Sequence, residues 1–525
     1  MGKLFLSSFV ALGLLMSFVF TIILAILIFL GEINITLAII LTICFNFLMW
    51  LIGPTITDFM NKWFYKVEFI SSENVQQRFP EIDQVIRQVT KEYGFKYPKI
   101  GIIADKNPTA FTYGSGRYNA RIVFTEGITH FLDTEEQKAV IAHELGHIVH
   151  RDFIIMMIAS TLLQILYEIY ATLIRAKGKK SGLPKLIAIV SLILYQIGIY
   201  IVYYLSRTRE YLADSFATKY TSAQALANAL IKIAYGIVSV EDSKQTQRLL
   251  KSTRQLGIVD VNNAKHTGAI SYITNNDPRL IAEVALFDKL NPWAKILQLS
   301  STHPLTGNRL SFLQNLAREK NQTFFYDIDG AVSRASVDTG RLWSTFFMQA
   351  SIIYSPIIAS LVGLIFVPII YIPAIFGIVS LAVLLYRYPR SQAKTTTILD
   401  EMRNVYASPV RGKKVLIQGQ IIGRGTPGYV FGEDLMIQDS TGMTFLNYES
   451  IIPFLGNFFF ALGKVKKLIG QAVQAQGWFF RSYSSQVSLS SLKTNSDTIQ
   501  SYPFLSKAIG PAIAIGISVV LMFVL

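Results

Sequence analysis

The residues best suited to chemistry are His143-Glu144-Leu145-Gly146-His147. Histidines four apart lie on one face of a helix, one turn from each other, so both imidazoles can reach a single cation. Zinc takes neutral imidazole nitrogen at roughly 2.0–2.1 Å, and a catalytic site uses three protein ligands plus water. Glu144, next to the first ligand, is placed to accept a proton from that water as general base. Bound zinc lowers the water's pKa toward about 7, within reach of a carboxylate. A chance His-Glu-x-x-His in a helix is the competing explanation, and the surrounding sequence must decide.

Such a site needs a third ligand. His150 is the nearest candidate, but it lacks the longer glycine-containing spacing of the metzincin pattern. It reads more readily as a helix-end histidine, where positive charge suits the dipole. Downstream, Ser206-Arg207-Thr208-Arg209-Glu210-Tyr211-Leu212-Ala213-Asp214 begins a second helical stretch, with Glu210 and Asp214 four apart on one face. Glu210 can complete a His, His, Glu set, and Asp214 can hold a ligand imidazole from behind. Taken alone, the same residues also read as a solvated acidic face beside Arg207 and Arg209.

Together the two segments resemble the motif pair of the HtpX-type membrane metalloproteases, whose wider relatives include the CAAX prenyl endopeptidases. Asn107-Pro108-Thr109-Ala110-Phe111-Thr112-Tyr113-Gly114 resembles the stretch before that family's zinc helix. His303-Pro304 with Arg309 resembles its late His-Pro…Arg element. The likeness covers residues 1–315, with four segments in the family's order. It implies a zinc metalloendopeptidase of gluzincin-like type with one Zn2+ per chain. His143, His147 and Glu210 would be the ligands, Glu144 the base, and Asp214 the support behind a ligand. His303 and Arg309 would stand near the scissile carbonyl, where donors stabilise an oxyanion. Asn107, Ala110 and Phe111 would line the substrate along an edge strand. The residues agree with such an edge: 120–125 is β-rich, so 110–125 reads as a hairpin turning near 114–116. An exposed edge could take an extended peptide as an added strand; an ordinary hairpin packed under the helix is the alternative.

The elements that must position these residues belong to a membrane protein. The chain is 51% hydrophobic and 16% charged, against about 25% charged in an average soluble protein. Residues 4–30, 35–52, 186–205, 346–386 and 508–525 carry no charge, and the fourth of these is long enough for two spans around Pro368 and Pro373. A span needs about 20 apolar residues. Residues 153–174 read as a further span, interrupted by Gln164 and Glu168. The first run exceeds the roughly 7–15 residues of a signal-peptide core and reads as an uncleaved anchor. The single cysteine, Cys44, lies inside a span, which excludes a disulfide framework and a cysteine metal site. The net charge of +15 points to anionic lipid headgroups rather than nucleic acid, because basic residues flank the spans. Those flanking residues, among them Lys62, Lys66, Arg151, Arg207, Arg209 and Arg387, place the metal motifs in the cytosol. Arg175, Lys177, Lys179, Lys180 and Lys185 fall in an outer loop against that rule, so whether 153–205 spans fully stays open.

Closer to the motif, Thr134-Glu135-Glu136-Gln137 has the form of a capping box opening the zinc helix. Beyond residue 340, stretches 413–422, 435–439, 443–448, 471–480 and 487–492 read as strands, with a helix in 454–468. Five strands with a helix there resemble an OB-type barrel. Its Lys464, Lys466 and Lys467 suit headgroups better than nucleic acid, and a protein-interaction role is equally open.

The expected fold is thus a multi-pass α-helical membrane protein with a mainly α-helical zincin-type metalloprotease domain and a C-terminal small β-barrel, OB-like domain. Two N-terminal spans occupy 1–55, and a protease domain 56–340 is interrupted by a membrane hairpin at 153–205. A second hairpin follows at 341–388, the barrel at 389–506 and a last span at 507–525. The expected activity is hydrolysis of misfolded or misassembled membrane proteins, at the plasma membrane of a prokaryote with the site facing the cytosol. A selective processing protease for membrane or prenylated substrates shares the same chemistry. A non-catalytic scaffold recruiting partners through the C-terminal domain is the reading from another class. The complete set His143, Glu144, His147 and Glu210 speaks against the scaffold.

Overall fold

Apolar runs of span length become helices because a helix satisfies every backbone hydrogen bond within the segment itself. The computed structural model describes residues 35–175, 181–239, 277–425, 432–482 and 485–524. The expected span at 4–30 lies outside them, as do Lys177, Lys179 and Lys180. Six described helices are long and apolar enough to cross a membrane, and the chain is an integral membrane protein. Two compact units divide it, one of 1–240, 244–264 and 298–325, the other of 241–243, 265–297 and 326–525.

The first unit opens with helix α1 (Ile35–Tyr65), whose Asp58 receives a two-pronged ion pair from Arg121 and the hydroxyl of Tyr113. Strand β1 (Glu68–Ile70), helix α2 (Pro80–Tyr93), and strands β2 (Lys99–Ile103), β3 (Ala110–Gly114) and β4 (Ala120–Thr125) follow. The sheet runs β1-β2-β4-β3, with β2 and β4 parallel and the other pairs antiparallel. Strand β3 is therefore an edge. Its Phe111 and Tyr113 pack with Val67, Ile103 and Val123 in the core. Helix α3 (Thr134–Val149) packs on this sheet and on α2, and leads into α4 (Asp152–Leu173), α5 (Gly182–Tyr220) and α6 (Ala223–Ser239). Helix α7 (Thr306–Glu319) completes the unit.

The capping box of α3 sits one residue earlier than expected. Asp133, not Thr134, is the N-cap: it accepts from the Glu136 amide, and the Glu136 carboxylate accepts from the Asp133 amide. A charged cap oxygen bonds those amides more strongly than a hydroxyl.

Within the second unit, α8 (Thr339–Phe366) and α9 (Ile372–Arg387) are joined by a turn at Pro368. Five strands, β5 (Lys413–Arg424), β6 (Leu435–Gln438), β7 (Met443–Asn447), β8 (Ala472–Arg481) and β9 (Ser485–Lys493), close a barrel. The order is β5-β6-β7-β9-β8 and back to β5, with β7 and β9 parallel. Along β5, Val415, Ile417 and Ile421 are buried in the period of two that turns alternate residues inward. The last helix, α10 (Pro503–Val524), packs along α9, where a Cβ on Gly377 would meet the Pro511 carbonyl at 2.5 Å.

Candidate metal centre

Two helices carry the three expected ligands, and one glycine sets their spacing. Gly146 faces α5: a Cβ there would stand 3.0 Å from the Ala213 Cα and 3.2 Å from the Phe216 Cβ. Two small residues thus let α3 and α5 approach until short side chains bridge them. His143 and His147 project from α3, while Glu210 and Asp214 project from the C-terminal third of α5. That end is continuous with the apolar part of the helix, with no break between them.

The three expected ligands meet. The Nε2 atoms of His143 and His147 are 3.2 Å apart. Glu210 places Oε2 3.5 Å from His143 Nε2 and Oε1 3.6 Å from His147 Nε2. All three side chains are buried, and their ligating atoms lie within 4.8 Å of one another. Two nitrogens and a carboxylate form a donor set that suits zinc.

Behind each imidazole stands a carboxylate, and behind each carboxylate an arginine. His143 Nδ1 lies 3.0 Å from Asp214 Oδ1, and Arg309 donates to both oxygens of Asp214. His147 Nδ1 lies 2.6 Å from Asp152 Oδ2, and Arg209 donates to the other oxygen of Asp152. Such partners fix the tautomer and ring plane of a metal-binding histidine. Asp152 and Arg209 were not among the expected site residues. Between α3 and α4, Arg151 adopts a left-handed conformation with φ of 57°. That single residue folds the chain back so that the first residue of α4 reaches a histidine in α3. The only sequence signal was an acid heading an apolar run five residues after His147.

Electrostatics also fit a cation. Burial by itself would lower the pKa of His143, but Asp214 and Glu210 outweigh it and raise it to about 9. Without a metal, the carboxylates hold a proton there instead. Glu144 is fully buried, and neither carboxylate oxygen has a hydrogen-bond partner among the described residues. Burial therefore raises its pKa above the usual carboxylate range, opposed by His147 and His143. A buried carboxylate without a donor is costly unless something binds it, and water beside a metal would.

The remaining expected residues divide. His303 comes to the centre, with Nε2 3.6 Å from Glu210 Oε2. Its loop is held by Arg207, whose Nη1 donates to the carbonyls of Gln298 and Ser301 at 2.6 Å each. Arg309 commits Nε and Nη2 to Asp214 and keeps Nη1 3.9 Å from Glu210. His150 caps the C-terminus of α3 and packs edge-on against Phe216. Ala110 and Phe111 lie on the edge strand, with the Phe111 ring in the core. Asn107 precedes that strand. Its carbonyl accepts from Thr125 at 2.6 Å, while its buried carboxamide has no partner among the described residues.

Residues 76–317 match the model of Peptidase family M48. A Protease HtpX homolog of Methanothermobacter thermautotrophicus is 32% identical over 200 residues, which are 38% of this chain and 73% of that protein. The Pyrococcus abyssi homolog is 32% identical over 36% of this chain and 70% of its own. That of Bifidobacterium longum is 28% identical over 52% and 84% respectively. The crystal structure of S. mikatae Ste24p aligns at 19% identity with a TM-score of 0.36, covering 59% of this chain and 66% of that one.

Proposed function

The chain belongs to peptidase family M48, zinc-dependent metalloproteases that include the HtpX homologs, and from that premise we propose a zinc endopeptidase that hydrolyses misfolded or misassembled membrane proteins on the cytosolic side. The observation that carries this reading is the convergence of His143, His147 and Glu210 beside a buried Glu144 whose carboxylate has no hydrogen-bond partner among the described residues.

His143 and His147 would hold the metal through Nε2, each donating from Nδ1 to Asp214 or Asp152, and Glu210 would complete the set. Bound zinc supplies a Lewis acid that makes water nucleophilic near neutral pH. Glu144 accepts the water's proton at a carboxylate oxygen and returns it to the departing amine. A raised pKa suits that double duty, because a shuttle must hold the proton between steps. His303, across Glu210 from the ligand histidines, is the donor for the developing oxyanion. Arg309 acts through Asp214 as a positioning residue for His143. Strand β3, an edge among the described strands, packs beside α3 with Ala110–Tyr113 buried, and would offer main-chain bonds to an extended substrate once uncovered. Such bonding reads backbone rather than side chains, which supports a broad range of unfolded substrates.

The barrel order, with the first and fourth strands paired and the third and fifth parallel, supports an OB-type fold for 413–493. The metalloprotease unit supports a zincin-type reading through its edge strand and adjoining zinc helix. The basic residues flanking the spans support a cytosolic site in the plasma membrane of a prokaryote.

Glu144→Gln tests the reading. The variant should retain about one zinc per chain while casein hydrolysis falls by roughly 10²–10⁴-fold, the usual contribution of a general base. Undiminished hydrolysis would remove Glu144 from the mechanism.

A further inference from the structure

The barrel of the second unit carries an outward apolar surface that the described residues leave exposed. Between β7 and β8, helix Pro453–Gly463 presents two different faces. Asn457, Phe460 and Ala461 are buried against the barrel. Phe454, Leu455, Phe458, Phe459 and Leu462 recur at helical spacing on the other side, with Phe454 87% and Phe459 67% exposed. Ile451 and Ile452 extend the same surface.

This surface is held in place. Phe460 stacks on Tyr448 at 3.7 Å between ring centroids. The Asn457 side chain donates to Glu433 at 2.9 Å and accepts from the Ser450 amide at 2.8 Å. Arg424 donates to the Ala461 carbonyl at 2.9 Å. An apolar face this large, fixed from behind by polar bonds, marks an interaction surface.

Two observations identify what covers it. The first is continuity with a membrane span. Glu449, two residues before the patch, accepts from the Tyr502 amide at 2.6 Å and from the Ser506 hydroxyl at 3.1 Å, and pairs with Lys507 at 3.6 Å. Those three residues lie at the start of α10, so the patch emerges where that helix enters the apolar phase. The second is charge. Lys464, Lys466 and Lys467 follow the apolar helix directly and are exposed. Apolar side chains with adjoining lysines are the pattern of a helix lying in the interface of an anionic bilayer.

We propose that residues 451–469 form a monotopic membrane anchor. Phe454, Leu455, Phe458 and Phe459 enter the acyl-chain boundary, and Lys464, Lys466 and Lys467 meet anionic phospholipid headgroups. The barrel is thereby fixed against the bilayer at a further point besides α9 and α10. A protein partner or a second copy is the competing occupant.

Site-directed fluorescence in the full-length protein separates these. In a Cys44→Ser background, an NBD label is placed at Phe454→Cys or, as a control in the exposed turn between β6 and β7, at Ser440→Cys. Both proteins are reconstituted in phosphatidylcholine vesicles with 0 or 30% phosphatidylglycerol. Emission from position 454 should be shifted to the blue by at least 10 nm relative to 440, and quenched at least twofold by brominated lipid. Lys466→Gln with Lys467→Gln should reduce the gain in quenching that phosphatidylglycerol produces. Water-like emission at 454, or blue-shifted emission that brominated lipid does not quench, would overturn the proposal, the second outcome assigning the face to protein.

Discussion

Asp152 offers the sharpest test of how the metal centre is held. Replacing it with Asn keeps the shape of the side chain while removing the charge between His147 and Arg209. Its loss has two consequences of different size. Groups that orient a metal-binding histidine typically contribute 10–100-fold in metal affinity, or about 1.4–2.8 kcal/mol at 1.4 kcal/mol per decade. Arg209 also loses its counter-charge, although it keeps the His150 carbonyl at 2.7 Å. The Arg209 side chain is only 13% exposed, so breaking that pair costs stability whether or not metal is present. Thermal unfolding with and without zinc separates the two effects. At a fixed free zinc concentration well above both Kd values, the stabilisation by metal follows RT ln(1 + [L]/Kd), and should shrink by about 1.4–2.8 kcal/mol in Asp152→Asn. The metal-free protein should be weakened independently of zinc. Competition with a chelator gives the affinity directly. If Asp152→Asn binds zinc as tightly as the parent while Asp214→Asn binds it at least tenfold more weakly, the paired supports are not equivalent and this account of His147 fails.

Three further outcomes follow from the same geometry. Gly146→Leu should separate α3 from α5 and abolish zinc binding, since overpacking costs about 1–3 kcal/mol; metal analysis of the purified variant checks it. Arg207→Met should release the loop carrying His303, lowering kcat at least tenfold with zinc content unchanged, the expected scale for losing charged hydrogen bonds of about 1.5–3 kcal/mol. Proton linkage gives the third. His143 is raised to about 9 in the metal-free protein, so its contribution to stability is complete below the unfolded value near 6.5 and fades as pH rises through about 9. Zinc must displace that proton. Calorimetric titration at pH 7.5 in buffers of different ionisation enthalpy should show about one proton released per zinc, and Asp214→Asn should reduce the number.

Much of the centre could be read from residue spacing, because helical periodicity converts sequence directly into geometry. His143 and His147 share a face at a spacing of four, and so do Glu210 and Asp214. The apolar runs at 35–52, 186–205, 346–386 and 508–525 fall in described helices long enough to span, and the stretches read as strands between 413 and 492 form the barrel. What stayed hidden depends on how the chain bends between elements. Asp152 reaches His147 only because Arg151 takes a left-handed conformation, and nothing in an arginine marks that. The arginines at 207 and 209 looked like the solvated neighbours of an acidic face. In the fold they point to different partners, one the His303 loop and the other Asp152, because residues two apart on a helix do not share a face. The capping box slipped by one residue because Asp133 and Thr134 can both cap, and the choice rests on the stronger acceptor.

The 39-residue length of α5 has a consequence for handling the enzyme. At 1.5 Å per residue the helix is about 58 Å long, roughly twice the hydrocarbon core of a bilayer. Glu210 lies about 22 Å along this lever from the middle of the apolar stretch 186–205. A 10° change of tilt, the kind of response that mismatched lipid thickness produces, sweeps the far end by about 4 Å, whereas metal sites tolerate a few tenths of an ångström. The Asp152–Arg209 clasp makes α4 and α5 swing together, so lipid chain length becomes a variable of the assay on the same footing as pH and zinc.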